Sequence, residues 1–128
     1  AEKAAQLGYD GIIVSNHGGR QLDGALSSIS ALPYIVDKVA NKMEVYMDGG
    51  IRSGQDICKA LCLGAQGVLI GRPFLYGLGA NGKAGVTRCL EIMRDSLDES
   101  IGFLGENDVN NLSRKNVLYT SYKKGAFD

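Results

Sequence analysis

The sequence has 128 residues, of which 45% are hydrophobic and 18 are glycine, a composition typical of one globular domain rather than of a disordered or fibrous chain. Its 14 basic and 14 acidic residues cancel, so charge favours neither nucleic acid nor an anionic membrane as a partner, and the longest apolar runs fall far short of the roughly 20 residues of a membrane-spanning helix. We expect one domain, residues 1–128, whose partners are small molecules or protein surfaces.

The three cysteines argue against a framework held together by disulfides or zinc. They are Cys58, Cys62 and Cys89, an odd number without paired CxxC spacing. Cys58 and Cys62 lie four residues apart on a predicted helix, where ordinary packing explains them. We therefore expect a reducing compartment and no metal.

The first part of the chain predicts a helix, a strand, a loop and a second helix. Helix formers over residues 2–7 precede Gly8, which is a typical helix end. Residues 11–15 are rich in β-branched side chains and apolar on both faces, as in a strand covered on both sides within a parallel sheet. A polar loop over residues 16–28 leads to the second helix, where Pro33 is expected to disturb the first turns. The apolar positions of this helix are Ile29, Leu32, Ile35, Val36 and Val39.

The rest of the chain continues the alternation of strand and helix. A strand is predicted over residues 44–48, after which Ser53 can cap a helix that runs to Gly64. A third strand is predicted over residues 67–70, and Pro73 follows where the first turn of a helix tolerates proline. The last long helix has one apolar face, formed by Val86, Leu90, Met93, Leu97, Ile101 and Leu104. Beyond it we expect a short helix over residues 108–112 and no clear element over residues 113–128.

This order of elements predicts a parallel sheet with right-handed crossovers, as in a flavodoxin-like sheet or a TIM barrel. A complete (β/α)8 barrel takes about 250 residues, so three strand–helix units are too few to close one, and five strands would be missing. The chain starts Ala1-Glu2-Lys3, without a methionine or a signal pattern, and this start resembles the middle of a helix. We therefore expect a fragment.

The loop after the first strand carries the only histidine, His17, and an arginine three residues later, Arg20. The glycines between them allow a sharp turn that would bring both side chains to one pocket. Imidazole can take a proton near neutral pH and guanidinium can hold a carboxylate, so this pair could bind and deprotonate a 2-hydroxy acid. The alternative is a solvated surface loop.

The loops after the second and third strands are predicted to bind a phosphate. Residues 48–54, which read D-G-G-I-R-S-G, and residues 71–73, which read G-R-P, each place backbone N–H groups and an arginine at the start of a helix. In TIM barrels a common phosphate site is built from the loops after the last two strands. The alternative is that the glycines serve tight turns and the arginines are solvated.

Together, the three loops resemble those of the FMN-dependent 2-hydroxy-acid dehydrogenase and oxidase family. Residues 15–23, which read S-N-H-G-G-R-Q-L-D, match that family's active-site signature in full, and the resemblance extends to about residue 112. It implies a TIM (β/α)8 barrel, of which this chain supplies only the last three strand–helix units. It also implies His17 as the catalytic base and Arg20 as the ligand of the substrate carboxylate. The residues implied in FMN binding are Ser15, Asp48, Gly49, Gly50, Ile51, Arg52, Gly71 and Arg72.

The resemblance also implies partners. The run at residues 71–79 is most similar to that of L-lactate dehydrogenases, which implies oxidation of L-lactate to pyruvate, with a quinone, a cytochrome or oxygen as electron acceptor. It implies a homo-oligomer in the full-length protein, located in the cytoplasm or peripherally at the inner face of the plasma membrane. The other flavin and substrate contacts of the family would lie before Ala1, so we expect the isolated chain to be inactive.

Three alternatives stay open at this point. The first is a 2-hydroxy-acid oxidase of the glycolate or lactate type that uses oxygen. The second is another phosphate-binding barrel, such as an IMP dehydrogenase or a sugar-phosphate synthase, which need not carry the histidine–arginine loop. The third is a half-barrel that binds FMN, phosphate or a protein without turnover.

Overall fold

The computed structural model describes residues 1–39 and 41–118. Three parallel strands form a sheet in the order β1-β2-β3. They are β1 (Gly11–Val14), β2 (Glu44–Met47) and β3 (Gly67–Val68). The α-helices are α1 (Glu2–Gln6), α2 (Ser28–Val39), α3 (Gly54–Cys62) and α4 (Arg72–Phe103). The predicted alternation and the parallel sheet are confirmed, and each strand is one to two residues shorter than predicted.

The core lies between the sheet and the helices. Val45 and Met47 of β2, the central strand, are almost fully buried, as are Leu32 and Val39 of α2. The prediction that β1 is covered on both sides is wrong for the described residues, because Ile13 is 53% exposed. β1 is one of the two edge strands of this sheet, and within residues 1–39 and 41–118 only one of its faces is packed.

Two predictions about helix geometry have different outcomes. α2 continues through Pro33, which is buried within it, so the expected disturbance does not end the helix. The predicted cap of α3 is confirmed: the backbone N–H of Asp56 donates to Ser53 Oγ at 3.3 Å. The Asp56 carboxylate accepts the N–H of Ser53 at 3.1 Å in return, which completes a capping box.

α4 consists of two helical halves. Asn81 and Gly82 have non-helical backbone angles, and Gly82 has a φ of +50°. The two halves touch backbone to backbone, because a Cβ atom on Gly77 would lie 2.6 Å from the carbonyl oxygen of Gly85. These halves correspond to two helices predicted from the sequence. They are the helix that starts at residues 71–73 and the last long helix.

The apolar face predicted for the last long helix is only partly buried. Met93 and Ile101 are buried, whereas Leu90 is 51% exposed. The buried part packs on α3, where the backbone of Leu97 lies directly against Gly54 and leaves no room for a side chain there. Val86 and Leu97 are half-buried, and Leu104 is 38% exposed.

The chain after α4 is more ordered than the sequence predicts. A 3-10 helix at Val109–Asn111 occupies the place of the expected short helix, and a second one at Arg114–Asn116 was not predicted. Arg114 fastens this segment to α2, since its guanidinium donates to Asp37 at 2.7 Å and to the carbonyl of Pro33 at 3.2 Å. Residues 119–128 of the expected unstructured tail lie outside the described residues. Across the described ranges, no helix combines the length and the apolar character needed to cross a membrane.

Candidate functional site

The three predicted loops meet at one edge of the sheet, because the carboxyl ends of parallel strands point the same way. The ladder extends one residue into two of these loops: the N–H of Asp48 donates to Val14 at 3.1 Å, and that of Leu69 donates to Met47 at 2.9 Å. A cavity of about 370 Å³ opens between the loops. It is lined by Gly18, Arg20, Asp48, Gly49, Gly50, Ile51, Arg52, Leu69, Ile70, Gly71, Arg72 and Leu75.

The first loop forms a left-handed turn around its histidine. His17, Gly18 and Gly19 have φ angles of +54°, +68° and +73°. The N–H of Arg20 donates to the carbonyl of His17 at 3.4 Å, and the N–H of His17 donates to Ser15 Oγ at 3.0 Å. A positive φ is uncommon for a residue other than glycine, and such conformations gather at functional sites.

The cavity brings together all but two of the predicted site residues. Arg20 shares it with the predicted residues of the second and third loops. His17 is exposed and is not among the lining residues. Ser15 instead lines a separate cavity beside the edge strand β1, together with Ile13 and Leu26. Among the described residues, histidine and arginine therefore leave the same turn but do not line one pocket.

The second loop presents an open backbone and a free carboxylate oxygen. Gly49 and Gly50 have φ angles of +85° and +82°, and a Cβ atom on Gly50 would meet nothing within 4 Å. Asp48 Oδ1 is buried and has no hydrogen-bond partner in the part of the chain that the structure describes. A buried acceptor without a partner is costly, so this atom is suited to accept a hydrogen bond from a bound ligand.

The two helix starts at the site differ in what they offer an anion. Sequence reasoning expected both to present free N–H groups, but the capping box of α3 already uses some of them. Asp56 Oδ2 accepts the N–H of Arg52 at 3.0 Å and also that of Ser53. Within the described residues α4 has no side-chain cap at Gly71, so its first turn is the freer donor set.

The lining is electropositive. Three arginines, Arg20, Arg52 and Arg72, line the cavity together with a single carboxylate, Asp48. Arg72 also reaches the first loop, since its Nη2 atom lies 3.9 Å from the position that a Cβ atom on Gly18 would occupy. An excess of fixed positive charge in a concave site favours an anionic ligand.

Sequence reasoning missed part of the lining. Gly18, Leu69, Ile70 and Leu75 line the cavity although no role was predicted for them. Their position next to the predicted site residues, at the ends of the strands and in the first turn of α4, was the available signal. Elsewhere among the described residues, no three His, Cys, Asp or Glu side chains come close enough to hold a metal ion.

A larger cavity, of about 500 Å³, lies away from these loops, between α2, α3 and the end of α4. Ile29, Leu63, Phe103 and Val117 contribute to its mainly apolar lining, and Lys59 is its charged residue. It lacks the glycine-rich turns and the arginines of the loop cavity, so the loop cavity is the candidate functional site.

The fold and the loop cavity define a parallel α/β protein with an arginine-rich cavity at the carboxyl ends of its strands. The chain belongs to the FMN-dependent dehydrogenase family, whose model matches residues 1–119. The family predicted from the three loops is confirmed.

Individual relatives agree with the family assignment. The chain is 51% identical to an L-lactate dehydrogenase of Caulobacter vibrioides, over 85% of this chain and 28% of that protein. It is 52% identical to an L-lactate oxidase of Nostoc sp., over 82% of this chain and 29% of that protein. A solved (S)-mandelate dehydrogenase aligns with a TM-score of 0.87 at 43% identity, over 91% of this chain and 32% of that one. The chain thus spans about a third of the length of the proteins it matches.

The predicted fold class is confirmed as a part of a TIM barrel, with three parallel strands followed by helices. The residues of the loop cavity fit FMN, the cofactor in the family's description. The free Asp48 Oδ1 suits a ribityl hydroxyl. The arginines and the uncapped start of α4 suit a phosphate.

Proposed function

We propose that the protein to which this chain belongs oxidises an L-2-hydroxy acid with FMN, converting L-lactate to pyruvate, and that the chain supplies the last three strand–helix units of its barrel. The observation that supports this most is that Arg20 of the signature loop lines the same cavity as Asp48 and Arg72. A group that can hold a carboxylate thereby stands beside groups that can hold a phosphorylated cofactor. The choice of L-lactate rests on the names of the relatives.

Arg20 is proposed to bind the substrate carboxylate. Its guanidinium can make two parallel hydrogen bonds to a carboxylate, which fixes both the position and the orientation of the acid. The turn that carries Arg20 is closed by its own backbone N–H on the carbonyl of His17. Substrate orientation and proton transfer would thus depend on one short piece of backbone.

His17 is proposed to be the base. Oxidation of lactate to pyruvate removes the hydroxyl hydrogen and the C2 hydrogen, which together amount to two protons and two electrons, so at least one of them leaves as a proton and needs an acceptor. The exposed imidazole of His17 can take it, either from the hydroxyl as the C2 hydrogen departs or from C2 first. FMN, when bound, supplies the acceptor for the two electrons.

Asp48 to Arg52, Gly71 and Arg72 are proposed to hold the ribityl and phosphate part of FMN, with Ser15 near the flavin ring. The acceptor of Asp48 and the first turn of α4 contribute complementary groups, one for hydroxyl donors and one for phosphate oxygens. Arg52 would contribute the charge of its guanidinium to the phosphate site rather than its backbone N–H, because that N–H donates to the Asp56 carboxylate.

The electron acceptor is proposed to be a quinone, a cytochrome or oxygen. One relative is named a dehydrogenase and another an oxidase at nearly the same identity, so residues shared with both do not decide this point. The oxidase reading is therefore the second candidate function. A homo-oligomer, and a location in the cytoplasm or at the inner face of the plasma membrane, remain proposals.

The test uses a full-length protein that carries this sequence. Purified protein should show a flavin absorption band, and L-lactate added without oxygen should bleach it. A flavin band that no 2-hydroxy acid bleaches would favour the non-catalytic FMN-binding module instead. Absence of flavin, together with binding of a sugar phosphate, would favour the other class of phosphate-binding barrel. Reoxidation by air, compared with a quinone or a cytochrome, then separates oxidase from dehydrogenase.

A further inference from the structure

Ser28, the first residue of α2, is the one polar side chain that is fully buried among the described residues, with 4% of its surface exposed. Buried hydroxyl groups are retained in contact with hydrogen-bonding partners, because an unpaired one is costly. Ser28 does not line the loop cavity, and its side chain lines the separate cavity beside β1 that Ser15 also lines. Contact with a ligand in the loop cavity therefore does not explain the burial of this hydroxyl group.

Ser28 stabilises the first loop by a hydrogen bond. Its Oγ atom accepts the backbone N–H of Asn16 at 3.2 Å, across 12 residues of sequence. Asn16 is the residue immediately before His17, and its carbonyl accepts the N–H of Gly19 at 3.0 Å. The hydrogen bond from Asn16 to Ser28 thus fixes the backbone on which the left-handed turn of His17 is built.

The same hydroxyl group also touches the second loop. A Cβ atom on Gly49 would lie 3.2 Å from Ser28 Oγ and 3.4 Å from Asn16 Oδ1. The glycine backbone therefore packs directly on the pair formed by Ser28 and Asn16. One buried atom is in contact with the loop of the base and with the loop of the cofactor site.

We infer that Ser28 is a positioning residue that sets the first loop against the second, and through them His17 against the cofactor. This inference rests on the proposed function. Without the hydroxyl group, the partly buried N–H of Asn16 loses its acceptor and the turn can shift toward Gly49. Displacements on the order of 1 Å in a reacting group reduce rates strongly while binding of the separate components persists.

The experiment compares variants of the full-length protein by the rate at which L-lactate bleaches the bound flavin in the absence of oxygen. Ser28→Ala and the nearly isosteric Ser28→Cys, which is a weak acceptor, should each slow bleaching about tenfold. Ser28→Thr, which keeps the hydroxyl group, should stay within about twofold of the wild type. The matched control is Ser30→Ala on the same helix, whose hydroxyl group bonds Ser27 at 2.7 Å and should not change the rate.

Rates are expressed per bound flavin, so loss of folded protein does not imitate the effect. If Ser28 served stability alone, Ser28→Ala would melt at a lower temperature but its bound flavin would be bleached at the wild-type rate. If Ser28→Ala does not fold, Ser28→Cys decides the question. A wild-type rate in either variant overturns the inference and leaves the proposed function intact. A wild-type flavin that L-lactate, glycolate and (S)-mandelate all fail to bleach overturns both.

Discussion

Arg72 and Gly18 lie against each other although 54 residues separate them in sequence: the Nη2 atom of Arg72 stands 3.9 Å from the Cβ position of Gly18. The guanidinium of the third loop therefore borders the turn of the first. A side chain proposed to bind the cofactor phosphate in this way also contacts the loop that carries His17 and Arg20.

Arg72→Ala should weaken FMN binding by about tenfold or more, because a charge-assisted contact to a phosphate is lost. The dissociation constant follows from the quenching of flavin fluorescence by the full-length protein. Arg88→Ala is the matched control, since Arg88 lies on the same helix, pairs with Glu91 at 3.3 Å and does not line the loop cavity. Equal FMN affinities in the two variants would contradict the assignment of Arg72.

His17→Gln should leave FMN bound and reduce the rate of flavin bleaching by at least about a hundredfold, because the amide cannot take the proton. Anaerobic stopped-flow absorbance with L-lactate measures this rate directly. The backbone bond from His17 to Ser15 does not involve the imidazole, so the turn should survive the change. Bleaching at the wild-type rate would show that another group is the base.

Arg20→Lys should raise the KM for the acid by about tenfold or more while affecting FMN affinity little, because an ammonium group cannot reproduce the two parallel bonds of a guanidinium. Arg94→Lys serves as the control, since Arg94 is exposed on α4 and pairs with Asp95 at 2.7 Å. Steady-state kinetics over a range of lactate concentrations separate KM from kcat. An unchanged KM would exclude Arg20 as the carboxylate ligand.

Gly77→Ala should destabilise the protein by about 2 kcal/mol or more. The new methyl group would clash with the Gly85 carbonyl oxygen, because the two atoms would be closer than van der Waals contact allows, and the halves of α4 would be forced apart. Gly79→Ala lies two residues further on, where a Cβ atom meets nothing within 4 Å. It should be neutral or stabilise by about 0.5–1 kcal/mol. Urea denaturation of both variants measures the difference, and equal midpoints would show that the close contact is absent.

The Cys62 thiol should make stability fall in alkali. Burial, with a smaller effect of Cys58, raises the pKa of Cys62 from 9.0 to about 11. Because the folded pKa is the higher one, this contribution is fully present below pH 9.0 and is lost as pH rises toward about 11. Denaturation at pH 8 to 11 should show a steeper decline of the free energy of unfolding in the wild type than in Cys62→Ala.

Thiol reagents at neutral pH should label the partly exposed Cys89 before either buried cysteine, and prior labelling of Cys62 would argue against its burial.

Local sequence patterns predicted most of the fold. The β-branched runs placed three parallel strands, Ser53 placed the start of α3, and the glycines between His17 and Arg20 predicted a sharp turn. These features depend on residues close together in sequence. The predicted family and the cavity shared by Arg20 and the two later loops follow from the same short motifs.

The parts that the sequence did not predict depend on distant contacts. The bond between Arg114 and Asp37 spans 77 residues and leaves no local pattern. The exposure of Ile13 depends on whether another element covers that face of β1. The pattern of apolar residues within β1 does not encode this. For the site, the side on which Ser15 lies and the packing of Ser28 under Gly49 are tertiary facts.

The unequal capping of the two helix starts has a consequence for how the two walls of the cavity respond to a ligand. α3 satisfies its own first turn with Ser53 and Asp56 whether or not an anion is present, whereas the first turn of α4 depends on what the cavity contains. Emptying the cavity should therefore loosen one wall and leave the other rigid. On loss of the ligand, amide hydrogen exchange would then quicken at the beginning of α4 and stay unchanged at the beginning of α3.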